Sequence, residues 1–347
     1  MSHSTVPRSR AEADTKDETD EAGAAPGGAT RSRSGRQPGK LSVRLRFRRD
    51  RVLLLMTLPA ILLILLFNYL PILGNVVAFQ DYDPYISDNG VVSMLHSPFV
   101  GLENFQRIFA DSAFWNAVQN TLVLFFLQLV LFFPIPILLA LLINSVIRPR
   151  VRAVAQAVLY LPHFFSWVLV IAVFQQLFGG AGILSQTLRQ HGYDGLDLMT
   201  DPDTFKFLIT GQSVWKDAGW GIIVFLAALA SVSPDLYEAA AMDGADRWRR
   251  MWHVTLPALR PVIALLLVLR VGDALTVGFE QILLQRDAVG PGASEVLDTF
   301  VWWNGVRNQD FGYAAAAGLV KGVISLGLVL AANKVAHLMG EQGVYKK

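Results

Sequence analysis

Long apolar stretches alternate along the chain with shorter polar segments, and each stretch is close to the length of a membrane crossing. A transmembrane helix needs about 20 predominantly apolar residues, and six stretches meet this condition. They lie at about residues 52–75, 119–143, 154–178, 206–230, 261–284 and 311–336. The fourth stretch contains the charged residues Lys216 and Asp217, but flanking tryptophans and the apolar run at 221–230 keep it apolar overall. The pattern predicts an all-α integral membrane protein with six transmembrane helices.

Three regions of the chain differ in composition. Residues 1–45 are rich in small and charged side chains with few large apolar ones, which predicts a disordered tail. This tail lacks the apolar stretch of a signal peptide, so the first helix is predicted to be an uncleaved anchor. Residues 46–340 contain the six helices and form the membrane domain, and residues 341–347 are a short C-terminal tail.

The segment at residues 231–260, between the fourth and fifth stretches, has the pattern of two short helices joined by a turn. Ser233 can cap a helix that starts at the following proline. The Asp243-Gly244 pair is typical of a turn in which glycine adopts the left-handed conformation. In the second half, apolar residues recur at helical spacing opposite three arginines. The small side chains of three alanines beside Glu238 allow another backbone to approach this helix closely. The segment is therefore predicted to be a docking surface for a partner protein.

Composition and charge support a membrane setting and indicate an orientation. The chain is 53% hydrophobic and 17% charged, with a mean hydropathy of +0.40, which is too apolar for an ordinary soluble domain. Lys and Arg concentrate before the first helix, after the second, after the fourth and in the C-terminal tail. Cytoplasmic loops carry this excess. We therefore expect both termini and the 231–260 segment to be cytoplasmic.

Several kinds of chemistry are disfavoured by the sequence. The chain has no cysteine, which excludes disulfide scaffolds, thiol catalysis and Cys-based metal sites. Its few histidines are scattered, and no catalytic residue, metal site or cofactor site is predicted. His163, beside a proline, has no carboxylate at helical spacing, so we expect it to serve packing and not proton transfer. The chain also lacks the G-x-x-x-x-G-K-[ST] phosphate loop, so it cannot hydrolyse ATP by that route.

Three short motifs in the 231–260 segment carry a family resemblance. They are Glu238-Ala239-Ala240, Asp243-Gly244-Ala245 and Leu256-Pro257. In order and spacing the segment resembles the EAA loop of permease subunits from binding-protein-dependent ABC importers. The resemblance implies the six-helix permease fold of these importers, with a coupling loop that a separate cytoplasmic ATPase grips. The coupling residues that it implies are Glu238, Ala239, Ala240, Asp243, Gly244, Ala245, Leu256 and Pro257.

Weaker motifs narrow the resemblance to the carbohydrate-importing branch. They lie near Phe67, Leu161, Gly278 and Gly312, and the first is most similar to permeases for polysaccharides or complex oligosaccharides. The resemblance implies a sugar importer subunit in the bacterial cell membrane. Its implied partners are a second, non-identical permease, a cytoplasmic ATPase dimer that uses the ATP, an extracellular solute-binding protein and the sugar, with no nucleic acid. A non-sugar solute and a secondary transporter are the alternatives.

Ionisable residues at membrane depth are candidates for contact with substrate, because their burial is costly and they usually face water or a bundle interior. Arg270, Asp273, Glu280 and Lys321 meet this description. Asp273 and Glu280 are seven residues apart and are expected to share a face of the fifth helix. The substrate-pathway candidates are Glu280, Asp273, Phe279 and Gln281. The open alternatives for Arg270, Asp273 and Lys321 are structural ion pairs between helices and side chains that extend to the membrane interface. Lys321 also departs from the neutral polar or small residue expected at its position.

Overall fold

The computed structural model describes residues 51–338 and is helical over most of that range. The predicted tails at residues 1–45 and 341–347 lie outside the described residues. Within the described part of the chain there is no strand, and Gln80 and Phe99 form an isolated β-bridge.

The α-helices of the described range are numbered in chain order. They are α1 Arg51–Ile64, α2 Leu70–Leu73, α3 Gly90–His96, α4 Glu103–Ala110, α5 Ser112–Leu127, α6 Pro134–Ser145, α7 Pro149–Tyr160, α8 Trp167–Phe178, α9 Ile183–Gln190, α10 Phe205–Ala230, α11 Pro234–Met242, α12 Arg247–Arg250, α13 Leu256–Gly272, α14 Phe279–Val289, α15 Pro291–Ser294, α16 Leu297–Trp302 and α17 Phe311–Leu338. Turns of π-helix occupy Leu65–Tyr69, Gln128–Phe132, Met251–Thr255 and Trp303–Arg307, and 3₁₀ turns occupy Gly74–Phe79 and Leu161–Phe164.

Six helical segments within residues 51–338 are long and apolar enough to cross a membrane. Named span 1 to span 6 in chain order, they are Leu55–Phe79, Ser112–Ser145, Trp167–Gln190, Phe205–Ala230, Arg247–Gly272 and Phe311–Val335. The predicted fold class, an all-α membrane protein with six transmembrane helices, is confirmed.

The chain divides into two compact units between Leu63 and Ile64. The described part of the first unit is helical, and its apolar side chains, such as Val52 and Met56, are exposed. Exposed apolar side chains on a helix of this kind suit contact with lipid, because the helix satisfies its own backbone polar groups.

Three buried apolar clusters hold the second unit together. The first joins span 2 to α16 and span 6, the second joins spans 2 and 4 to α14, and the third joins spans 2, 4 and 5. They centre on Phe114, Phe300 and Ala317; on Leu124, Ile209 and Ile282; and on Ile143, Ile222 and Leu259. Spans 2 and 4 therefore form the middle of this unit.

Three of the π-helical turns within the described residues come just before a proline. In each, the residue preceding Pro71, Pro134 or Pro257 donates its backbone N–H to the carbonyl five residues earlier. Proline has no N–H, and its ring clashes with the carbonyl four residues back, so the helix widens there instead of breaking. The prolines thus decide where these spans carry a wider turn.

The third crossing differs from the predicted helix at 154–178. Helix α7 ends at Tyr160, a 3₁₀ turn that contains Pro162 follows, and a new helix starts at Trp167. Ser166 caps the new helix by accepting the backbone N–H of Leu169 at 3.4 Å. The proline and this cap interrupt a stretch whose hydropathy alone is continuous.

The fifth crossing also differs, since a single helix was predicted at 261–284. Span 5 starts at Arg247, inside the predicted 231–260 segment, and ends at Gly272. The chain then leaves the helix, and Gly278 adopts a left-handed conformation with φ 57° before α14 starts. This conformation is readily accessible to glycine and costly for other residues. The break separates Asp273 from Glu280.

Candidate functional site

The first half of the Glu238 loop, defined as residues 231–260, folds as its sequence predicts. Helix α11 starts at Pro234, and the Ser233 hydroxyl accepts the backbone N–H of Asp235 at 3.3 Å. The helix ends in a turn in which Gly244 has φ 75°. Ala245 donates its backbone N–H to the Ala240 carbonyl at 2.9 Å. Hydrogen bonds of this kind satisfy the last carbonyls of a helix and fix the direction of the next one.

The second half of the Glu238 loop is the first part of span 5. The Asp246 carboxylate caps it by accepting the backbone N–H of Arg249 at 2.7 Å, a role the sequence analysis did not assign. The Tyr237 hydroxyl lies 3.1 Å from the Thr255 hydroxyl, so the two halves are joined by a hydrogen bond. Both halves therefore form a defined helical hairpin.

The hairpin presents an apolar surface. Its large exposed side chains and their exposed fractions are Met242 89%, Trp248 68%, Trp252 57% and Leu236 53%. Glu238 and the neighbouring alanines are also exposed or half-buried. Between the two helices, a hollow of about 370 Å³ is lined by alanines and arginines. Large exposed apolar side chains that lie outside the lipid usually mark a protein interface.

A second candidate site lies where the break before span 3 packs on span 4. His163 Nδ1 is 3.0 Å from Asp217 Oδ1, and the imidazole stacks on Trp220 with ring centroids 5.0 Å apart. Lys216 Nζ donates to the His163 carbonyl at 2.9 Å and lies 3.6 Å from Asp217 Oδ1. His163 thus packs, as expected, and it also has a carboxylate partner that the sequence did not reveal.

Arg270 of span 5 lies close to the same charges. Its guanidinium donates to Gln128 Oε1 of span 2 and lies 5.9 Å from the centroid of the Phe132 ring. Asp217 and Asp273 act on it electrostatically. We call this group the mid-span cluster; its members are Gln128, His163, Lys216, Asp217, Trp220 and Arg270.

The mid-span cluster is named for members that lie near the middle of the spans that carry them. Gln128 is near the middle of span 2, Ser112–Ser145, and Lys216 is near the middle of span 4, Phe205–Ala230. Because Arg270 bonds to Gln128, it lies at a similar depth. All six cluster residues can form hydrogen bonds, and several carry charge. Placing such groups at this depth is costly unless they serve ion pairing or a polar pathway.

Asp273 and Glu280 do not share a helix face, and this expectation was wrong. Asp273 is the C-cap of α13, whereas Glu280 is in the first turn of α14, beyond the break at Gly278. Both side chains are exposed, and neither forms an ion pair within 4.0 Å among the described residues. The seven-residue spacing implied a common face only if the helix continued.

Gln281 is buried and does not line an open space. Its amide donates to the Gln212 side chain at 2.7 Å and to the Ile209 carbonyl at 2.9 Å, while its oxygen accepts from Ser213. Gln285 donates to Gln212 as well, at 3.0 Å. These hydrogen bonds attach α14 to span 4, so the structure gives Gln281 a packing role.

Phe279 lines a cavity of about 1250 Å³ within the second unit. The cavity is bounded by the end of span 1, the loop that follows it, α16 and span 6, and its lining includes Trp302 and Asp298. Asp298 forms an ion pair with Lys321. The ion-pair alternative for Lys321 is therefore the one that the structure contains, and the expected neutral residue is replaced by a paired cation.

Two sets of polar contacts could not be predicted from the sequence: those that join span 4 to the turn before span 3, and the hydrogen bond that joins span 5 to span 2. In the sequence, Lys216 and Asp217 only interrupt the fourth apolar stretch. Adjacent opposite charges inside an apolar stretch are themselves a signal for a buried polar site, but their partner His163 is 54 residues away and could not be identified from spacing. The buried Arg286–Glu295 ion pair was missed too; its Nε–Oε2 distance is 2.8 Å.

Comparison with known families and proteins gives consistent matches. Residues 132–338 match the family model described as binding-protein-dependent transport system inner membrane component. The chain is 42% identical to the polygalacturonan/rhamnogalacturonan transport system permease protein YteP of Bacillus subtilis, over 85% of this chain and 91% of that protein. It is 38% identical to protein LplB of the same organism, over 86% and 92% of the two chains.

Solved structures of similar chains also exist. One is a chain in the crystal structure of a bacterial alginate ABC transporter in complex with an alginate pentasaccharide-bound periplasmic protein. The TM-score is 0.79 and the identity 35%, over 87% of this chain and 99% of that one. A second, from a bacterial ABC transporter involved in import of the acidic polysaccharide alginate, gives a TM-score of 0.77 at 36% identity, over 85% of this chain and 98% of that one.

Proposed function

Because the chain belongs to the family of binding-protein-dependent transport system inner membrane components, we propose that it is the permease subunit of an ATP-driven importer of oligosaccharides or polysaccharides. It is a transport subunit and not an enzyme. YteP is named for polygalacturonan and rhamnogalacturonan, and the similar solved chains belong to alginate transporters. These names support a sugar polymer as the cargo.

The proposal rests on the exposed surface of the Glu238 loop. It is a helical hairpin with exposed Trp248 and Met242, small alanines and an accessible carboxylate. A cytoplasmic ATPase subunit would cover this apolar surface and move it. The chain has no phosphate loop of its own, so we assign ATP binding and hydrolysis to that partner, and no cofactor to this chain.

The mid-span cluster supplies a polar lining for the cargo. Hydroxyl groups of a sugar need hydrogen-bond partners when they leave water, and His163, Lys216 and Asp217 provide such groups beside the indole face of Trp220. A second, non-identical permease would complete the pathway on the other side. An extracellular solute-binding protein would deliver the cargo.

The mechanism in this proposal is alternating access. ATP binding brings the two ATPase subunits together, and the hairpin transmits this movement through the continuous helix of span 5. Since the hairpin leads directly into the helix that carries Arg270, its displacement changes the surroundings of the mid-span cluster. Hydrolysis then resets the assembly. In this proposal both termini and the Glu238 loop lie in the cytoplasm, in agreement with the distribution of Lys and Arg.

Reconstitution tests the proposal directly. The chain, a companion permease and an ATPase are placed in proteoliposomes, and uptake of a labelled pectin or alginate oligosaccharide is measured with its binding protein outside. We expect uptake that requires internal ATP and the binding protein. Uptake driven by an ion gradient without ATP would instead identify a secondary transporter, and uptake of a different solute class would remove the assignment to sugar.

Glu280 remains a substrate-pathway candidate, because its carboxylate is exposed and has no ion-pair partner within 4.0 Å among the described residues. In the same proteoliposomes, we expect Glu280→Ala to lower sugar uptake about tenfold or more while subunit assembly is retained, as for the loss of one hydrogen bond to a charged group. Asp287→Ala is the matched control, since this carboxylate is on the same helix and highly exposed. Equal uptake by both variants would remove Glu280 from the pathway.

A further inference from the structure

Arg270 is a membrane-depth cation that has no carboxylate partner within residues 51–338. Lys216, Arg286 and Lys321 each have a carboxylate oxygen within 4.0 Å. Arg270 forms no such pair among the described residues, although Asp217 and Asp273 attract it from a greater distance. An unpaired cation at this depth is energetically costly. Its presence needs a reason that packing alone does not supply.

The guanidinium is held in place by neutral groups. Gln128 Oε1 accepts one of its N–H groups, and the Phe132 ring lies 5.9 Å from its centre. Both residues belong to the π-helical turn before Pro134, so the widened turn presents them together. The Nε–H of Arg270 is buried and has no hydrogen-bond partner in the part of the chain that the structure describes. Arg270 is thus oriented while part of its hydrogen-bonding capacity is left unused.

We propose that Arg270, positioned by Gln128, binds a carboxylate of the cargo and selects anionic, uronate-containing oligosaccharides over neutral ones. This inference rests on the proposed function and adds the charge of the substrate to it. Guanidinium and carboxylate match in geometry and can form two parallel hydrogen bonds. A neutral sugar is bound adequately by amides and hydroxyls, and it would not compensate the positive charge of the half-buried Arg270.

The carboxylates of Asp217 and Asp273 should affect how strongly an anionic cargo binds beside Arg270. Asp217 and Asp273 are close enough to act on Arg270 electrostatically, and they would repel a carboxylate bound beside it. Asp273 is exposed and is therefore a residue that can be neutralised without loss of packing. Binding of an anionic cargo should strengthen in Asp273→Asn, whereas binding of a neutral cargo should not change.

The test uses two probes that differ only in charge. Trigalacturonate and its carboxyl-reduced counterpart, galactotriose, are titrated into the full transporter complex in lipid nanodiscs, and weak binding is followed by saturation-transfer NMR. We expect Arg270→Gln to bind trigalacturonate about tenfold more weakly or worse, with little change for galactotriose. Arg270→Lys should keep a preference for the anion, and Gln128→Leu should lose a few-fold of trigalacturonate affinity. The double variant Arg107→Gln/Asp310→Asn removes an exposed ion pair as a control.

The outcomes separate this inference from the proposed function. Equal binding of both probes by the wild-type complex, or an unchanged preference in Arg270→Gln, would overturn the charge selection and leave sugar import intact. If Arg270→Gln does not assemble, Arg270→Lys and Gln128→Leu decide the question, and unaltered trigalacturonate binding in Gln128→Leu contradicts its positioning role. Failure of the wild-type complex to bind either probe would count against sugar import itself.

Discussion

Gly244→Asp is expected to abolish coupled transport while the chain still folds and enters the membrane. Gly244 has φ 75°, and a residue with a Cβ in this region costs about 1–2 kcal/mol. The site is open, because nothing lies within 4 Å of the position a Cβ would occupy. The substitution therefore perturbs the turn between the hairpin helices and adds a carboxylate to the docking surface. We expect ATPase co-purification and stimulation by loaded binding protein to fall more than about tenfold.

The control variant Gly192→Asp distinguishes the effect of a carboxylate on the docking surface from the effect of backbone strain alone. Gly192 also has a left-handed conformation, φ 80°, is exposed and has nothing within 4 Å of its would-be Cβ. It lies between α9 and span 4, far along the chain from the Glu238 loop. We expect this variant to keep ATPase association and stimulation. If both aspartates uncouple the complex equally, or if neither does, the Glu238 loop is not the ATPase contact.

Gly219→Ala is expected to have the largest effect on the folded protein. A Cβ at Gly219 would be 2.1 Å from the Leu159 carbonyl oxygen and 3.0 Å from Tyr160 Cα. These are backbone atoms, so the clash cannot be relieved by a change of side-chain rotamer. The cost should be at or above the upper end of the about 1–3 kcal/mol typical of overpacking. Because Gly219 lies between Asp217 and Trp220, we also expect the substitution to move these two residues away from His163.

Gly211→Ala is the matched control on the same helix. Nothing lies within 4 Å of a Cβ at Gly211, and alanine is favoured over glycine in a helix interior by about 1 kcal/mol. Thermal stability in detergent, followed by the monodisperse fraction on size-exclusion chromatography, should be lower than wild type for Gly219→Ala and equal or higher for Gly211→Ala. Similar stability of the two variants would mean that span 4 does not pack against Leu159 this closely.

The fold of the Glu238 loop could be predicted from the sequence because the residues that start and end its helices act locally. The cap at Ser233, the proline after it and the left-handed glycine act within a few residues of each other. Backbone hydrogen bonding and the restricted conformations of proline decide such elements without help from distant residues. The same reasoning explains why the number of spans was predicted correctly. A bilayer requires a continuous apolar length, and hydropathy measures that length directly.

The positions at which the third and fifth helices are interrupted could not be predicted from local signals. Hydropathy runs smoothly through the third and fifth stretches, yet the helices end at Tyr160 and Gly272. The expected common face of Asp273 and Glu280 failed for this reason. Hydrogen bonds to span 4 hold Gln281 inside the bundle, and they fix the direction of α14 after the break. Such partners lie about 70 residues away and leave no periodic trace.

Elements with local energetics follow from the amino-acid sequence alone: these are the apolar lengths of the spans and the helical hairpin at Glu238. The lack of a phosphate loop is likewise visible in the sequence. Which polar groups meet inside the bundle depends on the folded arrangement, because each desolvated group needs a partner from another helix. Arg270 and Gln128 are 142 residues apart in the chain, and Lys321 and Asp298 are 23 apart. Folding pairs Lys321 with a carboxylate, whereas Arg270 has no carboxylate partner among the described residues. In the sequence the two residues look alike, because each is a cation in an apolar stretch.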